Sequence, residues 1–473
     1  MEFIMNELSY DLIVIGAGPG GYVGAIRAAQ LGLKVAVIEK EKLMGGTCLR
    51  VGCIPSKALL ESSHNYHAAK HQFSDHGIAV QGLTIDVAAM LKRKQKIVTV
   101  LGKGIESLFK KNAITRYTGT GRFVGETTEN GHVIAVANNE GETRLTGKSI
   151  IIATGSVSSP LRGITVDETH VLTSTGALEI DQVPKTMAVI GAGAIGLEMA
   201  SVWSRLGTEV TVLEYMDKVL PTMDQDISKN MQKILKDQGI NFQLGVKVTK
   251  AEKHPEGGCV VEIDGKEALR PEKVLLAVGR AANTEGLRLD TLGITCDARG
   301  RIPVDTHFST TARDVYAIGD VIEGPMLAHK AEEDGVACAE WIATGHGHVD
   351  YNIVPMVVYT DPEAAAVGKT EQQLKDTNIP YKVGMFPFMA NGRARTYGDT
   401  SGFVKMLAHA DTDRILGVHI VGKHAGDLIA EAASAMAFHA SSEDIARVCH
   451  AHPTLAEAIK EAAMAVDGRA IHA

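Results

Sequence analysis

The chain has no apolar run approaching the ~18 residues of a membrane span, no low-complexity segment and no excess of positive charge. Each absence removes a class of function. A formal net charge of -8 offers no basic field for nucleic acid or anionic lipid, so neither a nucleic-acid partner nor a membrane span is expected. The opening MEFIMNELSY carries acidic residues and no arginine, and no long apolar stretch comes before the first strand. That pattern fits neither a secretory signal nor a transit peptide, and a cytoplasmic protein is expected. Cysteine is scarce, with six in 473 residues, and Cys259, Cys296, Cys338 and Cys449 are solitary. In a reducing compartment such isolated cysteines are usually inert core residues, whereas a close pair is more often catalytic or metal-binding than structural.

The remainder of the composition is that of a globular protein. Apolar residues make up 45% and charged residues 22%, and the 49 glycines are spread along the chain instead of gathering in linkers. This argues against disorder or a fibrous class, and the length requires several domains.

Glycine does gather at two places with a purpose. Residues 10 to 39, YDLIVIGAGPGGYVGAIRAAQLGLKVAVIE, give an apolar strand, a glycine-rich turn, an alanine-rich helix and a second apolar strand ending in an acid. Residues 187 to 214, MAVIGAGAIGLEMASVWSRLGTEVTVLE, repeat the pattern. Gly16 and Gly191 open the two turns, Gly32 and Gly207 each follow by 16 residues, and Glu39 and Glu214 each close the unit after 23. A lone GxGxxG is weak, but two copies, each between strand and helix and each closed by an acid, predict two dinucleotide-binding βαβ units. The glycines (Gly16, Gly18, Gly21; Gly191, Gly193, Gly196) let backbone approach a pyrophosphate, the helix N-terminus supplies amide donors, and the acid accepts from ribose hydroxyls. Glu214 also opposes a 2′-phosphate: at an effective dielectric of about 20 and ~4 Å, each unit charge costs roughly 4 kcal/mol, so NAD is expected over NADP.

Cys48 and Cys53, in CLRVGC, begin nine residues after Glu39 and so leave the first unit. A structural disulfide there would close a very short loop in a reducing cell, and a zinc site would lack its second ligand pair. A redox disulfide beside a flavin is the third reading, and it suits a chain with two dinucleotides, because hydride passes usefully between a flavin and a nicotinamide. It requires Cα atoms within about 7 Å, which a non-helical or distorted turn permits. The pair is expected on a loop or helix start that ends with Pro55, with Lys57 within a turn.

The segment GGTCLRVGCIPSKALL (45 to 60) resembles the active-site stretch of the pyridine nucleotide-disulfide oxidoreductases. The resemblance continues through ATGS (153 to 156), AVGRAANTEGL (277 to 287), YAIGD (316 to 320), MLAHKAEEDG (326 to 335) and ARVCHAHPTLAEA (446 to 458). Within the family the pattern looks most like the branch that oxidises protein-bound dihydrolipoyl groups with NAD, the shared component of 2-oxo acid dehydrogenase complexes. The resemblance implies that the first fingerprint holds FAD, with Glu39 on the adenosine ribose and Asp320 on the flavin side, and that the second holds NAD. By the same resemblance, cofactor contacts fall on Gly16, Gly18, Gly21, Glu39, Lys57, Gly121, Thr154, Gly155, Ser156, Gly191, Gly193, Gly196, Glu198, Glu214, Val278, Gly279, Arg280, Asp320 and Ala328. It further implies that Lys57 lies near the flavin and pairs with Glu198, that Cys48 exchanges with substrate and that Cys53 faces the flavin. It implies a homodimer in which His452, held by Glu457, acts as base in the partner's site. His452 is favoured over His450 because Pro453 and Thr454 follow it as in the family motif. The acyltransferase component of the complexes, carrying the dihydrolipoyl groups, is the implied partner.

Departures are few. Arg50 stands between the cysteines where asparagine is common in the family, and Ala456 replaces a common serine. Related reductases remain open as alternatives, as does a non-catalytic complex subunit. The glutathione and trypanothione enzymes would want basic residues at Glu214, mercuric reductases carry a C-terminal cysteine pair that DGRAIHA lacks, and soluble transhydrogenases lack the CLRVGC pair. The expected fold is α/β: two Rossmann-like dinucleotide-binding domains plus an α+β C-terminal dimerisation domain. The expected boundaries are an FAD domain over 1–150, an NAD domain over 151–280, a segment over 281–350 returning to the FAD domain, and an interface domain over 351–473.

Overall fold

A computed structural model describes residues 8–473. It divides into two compact units, the first built from the chain up to 58, 89–159 and 279–349, the second from 59–88, 160–278 and 350–473.

The first unit centres on a seven-stranded sheet. Ser9–Ile15 lies between Val35–Glu39 and Gly141–Ile152, with Thr115–Thr118 beyond Val35–Glu39, and these pairings are parallel. Gly131–Asn138 and Thr120–Thr128 extend the sheet antiparallel, and Val315–Ala317 pairs parallel to Gly141–Ile152. The near-continuous apolar runs LIVI and VAVI are buried throughout, as parallel strands covered on both faces require. One cover is a close helix pair. Added Cβ atoms at Gly20 and Gly24 of the helix Pro19–Gln30 would stand 2.7 Å from the Ala331 carbonyl oxygen and 3.0 Å from that of Gly335, both on the helix Ala328–Thr344.

The second unit holds a five-stranded parallel sheet in the order Asn241–Gln243, Glu209–Leu213, Thr186–Ile190, Lys273–Leu276, Val171–Leu172. It also holds a five-stranded antiparallel sheet, Met356–Val358, Glu363–Gly368, Ile415–Gly422, Phe403–His409, Tyr381–Pro387. The helices Ala425–Ala437 and Glu457–Ala465 cover it with Ile429, Ala432, Ala458 and Ile459. The architecture is thus α/β with two Rossmann-like sheets and an α+β C-terminal portion. Among the described residues no helix is long and apolar enough to cross a membrane.

A buried ion cluster fastens the C-terminal sheet within this unit. Lys405, 1% exposed, brings Nζ to 2.9 Å from Asp224, 2.7 Å from Asp226 and 2.7 Å from Glu371. Asp224 also accepts the amides of Asp226 and Glu371. Lys405→Met should cost about 3–5 kcal/mol, because it strands the buried Asp224 carboxylate. Denaturant unfolding reads this, and an unchanged midpoint would refute it. Burial raises the Glu371 carboxyl, but hydrogen bonds from Lys375, Lys405 and Tyr381 outweigh it and bring the pKa to about 2. The folded value lies below the unfolded one, so this stabilisation is complete above the ordinary glutamate range and drains as the pH falls towards 2.

Candidate active site

The two fingerprints fold into the same local structure. Gly16 and Gly191 take φ of 105° and 109°, a left-handed conformation that side chains rarely adopt. A Cβ on either would overlap the carbonyl oxygen of Ala153 or Ala277, and a Cβ on Gly21 or Gly196 would overlap the carbonyl of Gly16 or Gly191. The helices Pro19–Gln30 and Ala194–Leu206 start from extended Gly18 and Gly193, with no acidic residue in either first turn. Their free amides and positive dipole ends are therefore open to an anion.

The closing acids are held alike. Glu39, 7% exposed, accepts the amides of Ala17 and Glu41, each at 2.9 Å. Glu214, 9% exposed, accepts those of Ala192 at 2.6 Å and Met216 at 2.8 Å. In both cases the donors are the residue after the first glycine and the second residue after the acid. The amides orient each carboxylate, and each oxygen keeps a lone pair for a ribose hydroxyl. These residues fit two dinucleotides.

The cysteine segment is tied to the first fingerprint. The Gly45 amide donates to the Ala17 carbonyl at 2.9 Å, and a Cβ on Gly46 would stand 2.5 Å from the Gly18 Cα. Both glycines have positive φ, 104° and 58°. Cys48 lies inside a short helix, Gly46–Val51, and Cys53 opens the long helix Cys53–His71. The expectation of a loop or helix start ending at Pro55 is corrected in two respects. The first cysteine is helical, and Pro55 sits in the first turn of the second helix, where its missing N–H is not needed. The distorted turn is Gly52, at φ −143° and ψ −114°, where a Cβ would come within 2.8 Å of the Thr47 carbonyl oxygen and 3.3 Å of the Cys48 Cα. Removing that atom lets the two helices close until the thiols share a hydrogen bond.

Both cysteines are thiols in this structure. The hydrogen bond to Cys53 and burial push the Cys48 thiol far above its ordinary value, and Lys57, one turn beyond Cys53, acts against this. Arg50 now has a partner: its guanidinium lies 3.1 Å from Glu41, whose own amide donates to Glu39. It links the cysteine helix to the end of the acid-bearing strand.

Beside the pair, three residues expected at the cofactor are joined. Ser156 Oγ donates to Asp320 at 2.5 Å and accepts from Arg280 Nε at 2.7 Å, while Arg280 also donates to the Ser156 carbonyl at 2.6 Å. Burial lowers the Arg280 pKa, and the negative charge of Asp320 and of a Cys53 thiolate opposes that. Thr154 donates to the Asn283 carbonyl at 2.7 Å, and Gly155 accepts the Asn283 amide at 2.9 Å. Gly121, in the strand Thr120–Thr128, approaches Ile15 and Ile38 so closely that a Cβ would stand 3.2 Å from each. Ala328 opens its helix, and Val278 and Gly279 follow the strand Lys273–Leu276.

Sequence reasoning passed over Tyr22 and Glu332. Their side chains are hydrogen-bonded, and burial is the main cause that raises both pKa values, Tyr22 to about 12; Cys48 lies near enough to contribute to the rise at Tyr22. Tyr22 lies within the first fingerprint and Glu332 within MLAHKAEEDG, but nothing local in either segment marks their meeting.

In the second unit, Glu198 is 5% exposed and accepts the Tyr359 amide at 3.1 Å. The two candidate histidines differ sharply. The His450 side chain is 7% exposed, with Nδ1 at 3.0 Å from the Val448 carbonyl and Nε2 at 2.7 Å from Glu431. His452 is 77% exposed, and Nδ1 meets Glu457 at 2.8 Å. The other Glu457 oxygen accepts the Thr454 amide at 2.8 Å. Because a carboxylate accepts, Nδ1 carries the proton and Nε2 is left as a base.

Residues 10–335 match the pyridine nucleotide-disulphide oxidoreductase family, and residues 354–463 match its dimerisation domain. The chain belongs to the pyridine nucleotide-disulphide oxidoreductases. Similar members of this family include the mitochondrial dihydrolipoyl dehydrogenase of Pisum sativum, 55% identical over 98% of this chain and 92% of the pea protein. The dihydrolipoyl dehydrogenase of Cupriavidus necator is 53% identical over 98% of this chain and 99% of its own. Among solved structures, LpdA from Mycobacterium tuberculosis superposes with a TM-score of 0.89 at 25% identity, covering 96% of this chain and 98% of that one. The dihydrolipoyl dehydrogenases of this family use FAD and NAD, and the two cradles described above suit them.

Proposed function

We propose that this protein oxidises protein-bound dihydrolipoyl groups to lipoyl disulfides and reduces NAD+, as the shared component of 2-oxo acid dehydrogenase complexes. The observation that carries the reading is the fastening of the Cys48–Cys53 thiol pair to the first dinucleotide turn through Gly45 and Gly46. Relatives named dihydrolipoyl dehydrogenase over nearly the full chain supply the substrate class. The scarcity of cysteine and the acidic charge suit a cytoplasmic protein, and the dimerisation domain suits a homodimer whose partner is the lipoyl-bearing acyltransferase.

With the pair oxidised, His452 takes the proton of a dihydrolipoyl thiol, and Glu457 stabilises the resulting imidazolium. The thiolate attacks Cys48, forming a mixed disulfide and expelling Cys53 as thiolate. The substrate's second thiol then attacks its own sulfur bonded to Cys48 and passes its proton to the departing Cys48 sulfur, so the lipoyl ring closes and the pair is left reduced, Cys48 as thiol and Cys53 as thiolate. FAD and NAD, when bound, supply the two-electron carriers that reoxidise the pair. A thiol of ordinary pKa about 8.5 is only a few per cent ionised at neutrality, which is why the exchange needs a base.

The test compares NAD+ and NADP+ as acceptors with dihydrolipoamide, glutathione and Hg(II) as alternatives under identical conditions. Turnover is expected only with dihydrolipoamide and NAD+. A preference for NAD+ of about a thousandfold in kcat/KM corresponds to the roughly 4 kcal/mol of one charge opposed by Glu214. Equal use of NADP+, or better turnover of glutathione, would overturn the assignment.

A further inference from the structure

The second unit encloses a cavity of about 130 Å³ that the disulfide chemistry does not use. Its walls come from the later part of the helix Cys53–His71, through His67, Lys70 and His71, from the end of the helix Ala194–Leu206, through Ser201 and Arg205, and from Gln238. Two of these side chains are buried donors with no acceptor among the described residues. Ser201 is 2% exposed and its hydroxyl has no protein partner, and a terminal nitrogen of Arg205 is likewise buried and unpartnered. Buried polar atoms are satisfied in the great majority of cases, so two unsatisfied donors on one cavity call for an acceptor.

Arg205 and Lys70 bring two positive charges to the cavity. Against them stand Asp361, which faces Arg205 and is paired with His64 at 2.9 Å, and the C-terminal ends of the helices Cys53–His71, Ala194–Leu206 and Gln225–Asp237, each worth roughly half a negative charge. The wall is therefore close to neutral, and it is the two unsatisfied donors, not net charge, that call for a guest rich in acceptors. The volume selects the size: drug-sized ligands need roughly 300–1,000 Å³, whereas a water takes about 30 Å³, so a group of a few heavy atoms fits and a dinucleotide does not. The place is also separate from the second fingerprint. Arg205 lies twelve residues beyond the N-cap Gly193, about 18 Å along the helix.

We infer that this cavity binds a small tetrahedral oxyanion, a phosphate group, through the Ser201 hydroxyl, the Arg205 guanidinium and Lys70. Guanidinium geometry matches phosphate oxygens in pairs, and Lys70 and His71 form the open rim.

The experiment titrates the FAD-loaded protein, with NAD+ saturating so that both dinucleotide sites are filled, with inorganic phosphate, with glycerol phosphate and with potassium chloride at matched ionic strength. Calorimetry and thermal unfolding are read together. Saturable phosphate binding with a rise in Tm beyond that in chloride is expected. Arg205→Gln should weaken it at least tenfold and Ser201→Ala and Lys70→Gln several-fold. Should Arg205→Gln fail to fold, the Ser201 and Lys70 variants decide alone. Binding of both phosphates supports a site open to phosphate monoesters, and binding of inorganic phosphate alone supports a site for the free ion. No saturable effect beyond chloride, or binding unchanged in Ser201→Ala and Lys70→Gln, overturns the inference.

Discussion

Cys53→Ser is expected to abolish NAD+-dependent oxidation of dihydrolipoamide, by roughly 10⁴-fold or more, while the flavin remains bound and visible in absorbance. The size follows from the step lost. A hydroxyl cannot form the disulfide, so a substrate thiolate arriving at Cys48 finds no sulfur–sulfur bond to exchange with, and no leaving group departs. Flavin retention follows from the cradle, which is made of Gly16, Gly18, Gly21 and the amide-oriented Glu39 and does not use the Cys53 sulfur. The serine fills nearly the same volume at the head of the helix Cys53–His71, where a hydroxyl is well tolerated. Steady-state kinetics and the flavin-to-protein ratio check both halves. Normal oxidation of dihydrolipoamide by this variant would remove the thiol pair from the reaction.

His452→Gln should lower kcat/KM for dihydrolipoamide by about 10²–10⁴, the usual worth of a positioned base. Glu457→Gln should cost less, because the imidazole stays in place and loses only its orienting charge. Burial raises the Glu457 carboxyl, yet the Thr454 amide and His452 outweigh it, and the net pKa is lowered. The sign is that of a depressed acid. Its contribution is complete above the ordinary glutamate range and is lost as the pH falls through the folded value, so the His452–Glu457 bond persists across neutrality.

Mixed dimers test whether the base serves the partner's disulfide. Combining His452→Gln chains with Cys48→Ser chains makes half of the dimers mixed, each with one intact shared site, so about a quarter of wild-type activity should return. No recovery would place base and disulfide in one subunit.

Much of the site is legible in the linear sequence. The two fingerprints can be read because dinucleotide binding demands glycine at fixed offsets between a strand and a helix, and those offsets survive in a string of letters. The thiol pair stands out because cysteine is scarce in this chain. Less can be read where partners are far apart in sequence. The triple contact of Ser156, Arg280 and Asp320 joins residues up to 164 positions apart. Tyr22 and Glu332 come from two helices brought together by Gly20, Gly24 and Gly335, and no local pattern marks such a meeting. The anion cavity depends on which donors were left without partners, a property that exists only once everything else has folded.

By itself, then, the sequence determined two dinucleotide-binding units and one close cysteine pair, because each rests on short-range spacing imposed by backbone geometry, and the family resemblance of its motifs supplied the reaction class. Tertiary structure supplied physical reasons that the letters lack. The motif already favours His452 over His450, and in the fold burial against Glu431 consumes one imidazole while exposure leaves Nε2 of the other open. Arg50, unreadable between two cysteines, became a tether once the fold carried Glu41 to within 3.1 Å. The approach of Cys48 to Cys53 was likewise settled at Gly52, where the physical reason is the missing Cβ that would have met the Thr47 carbonyl.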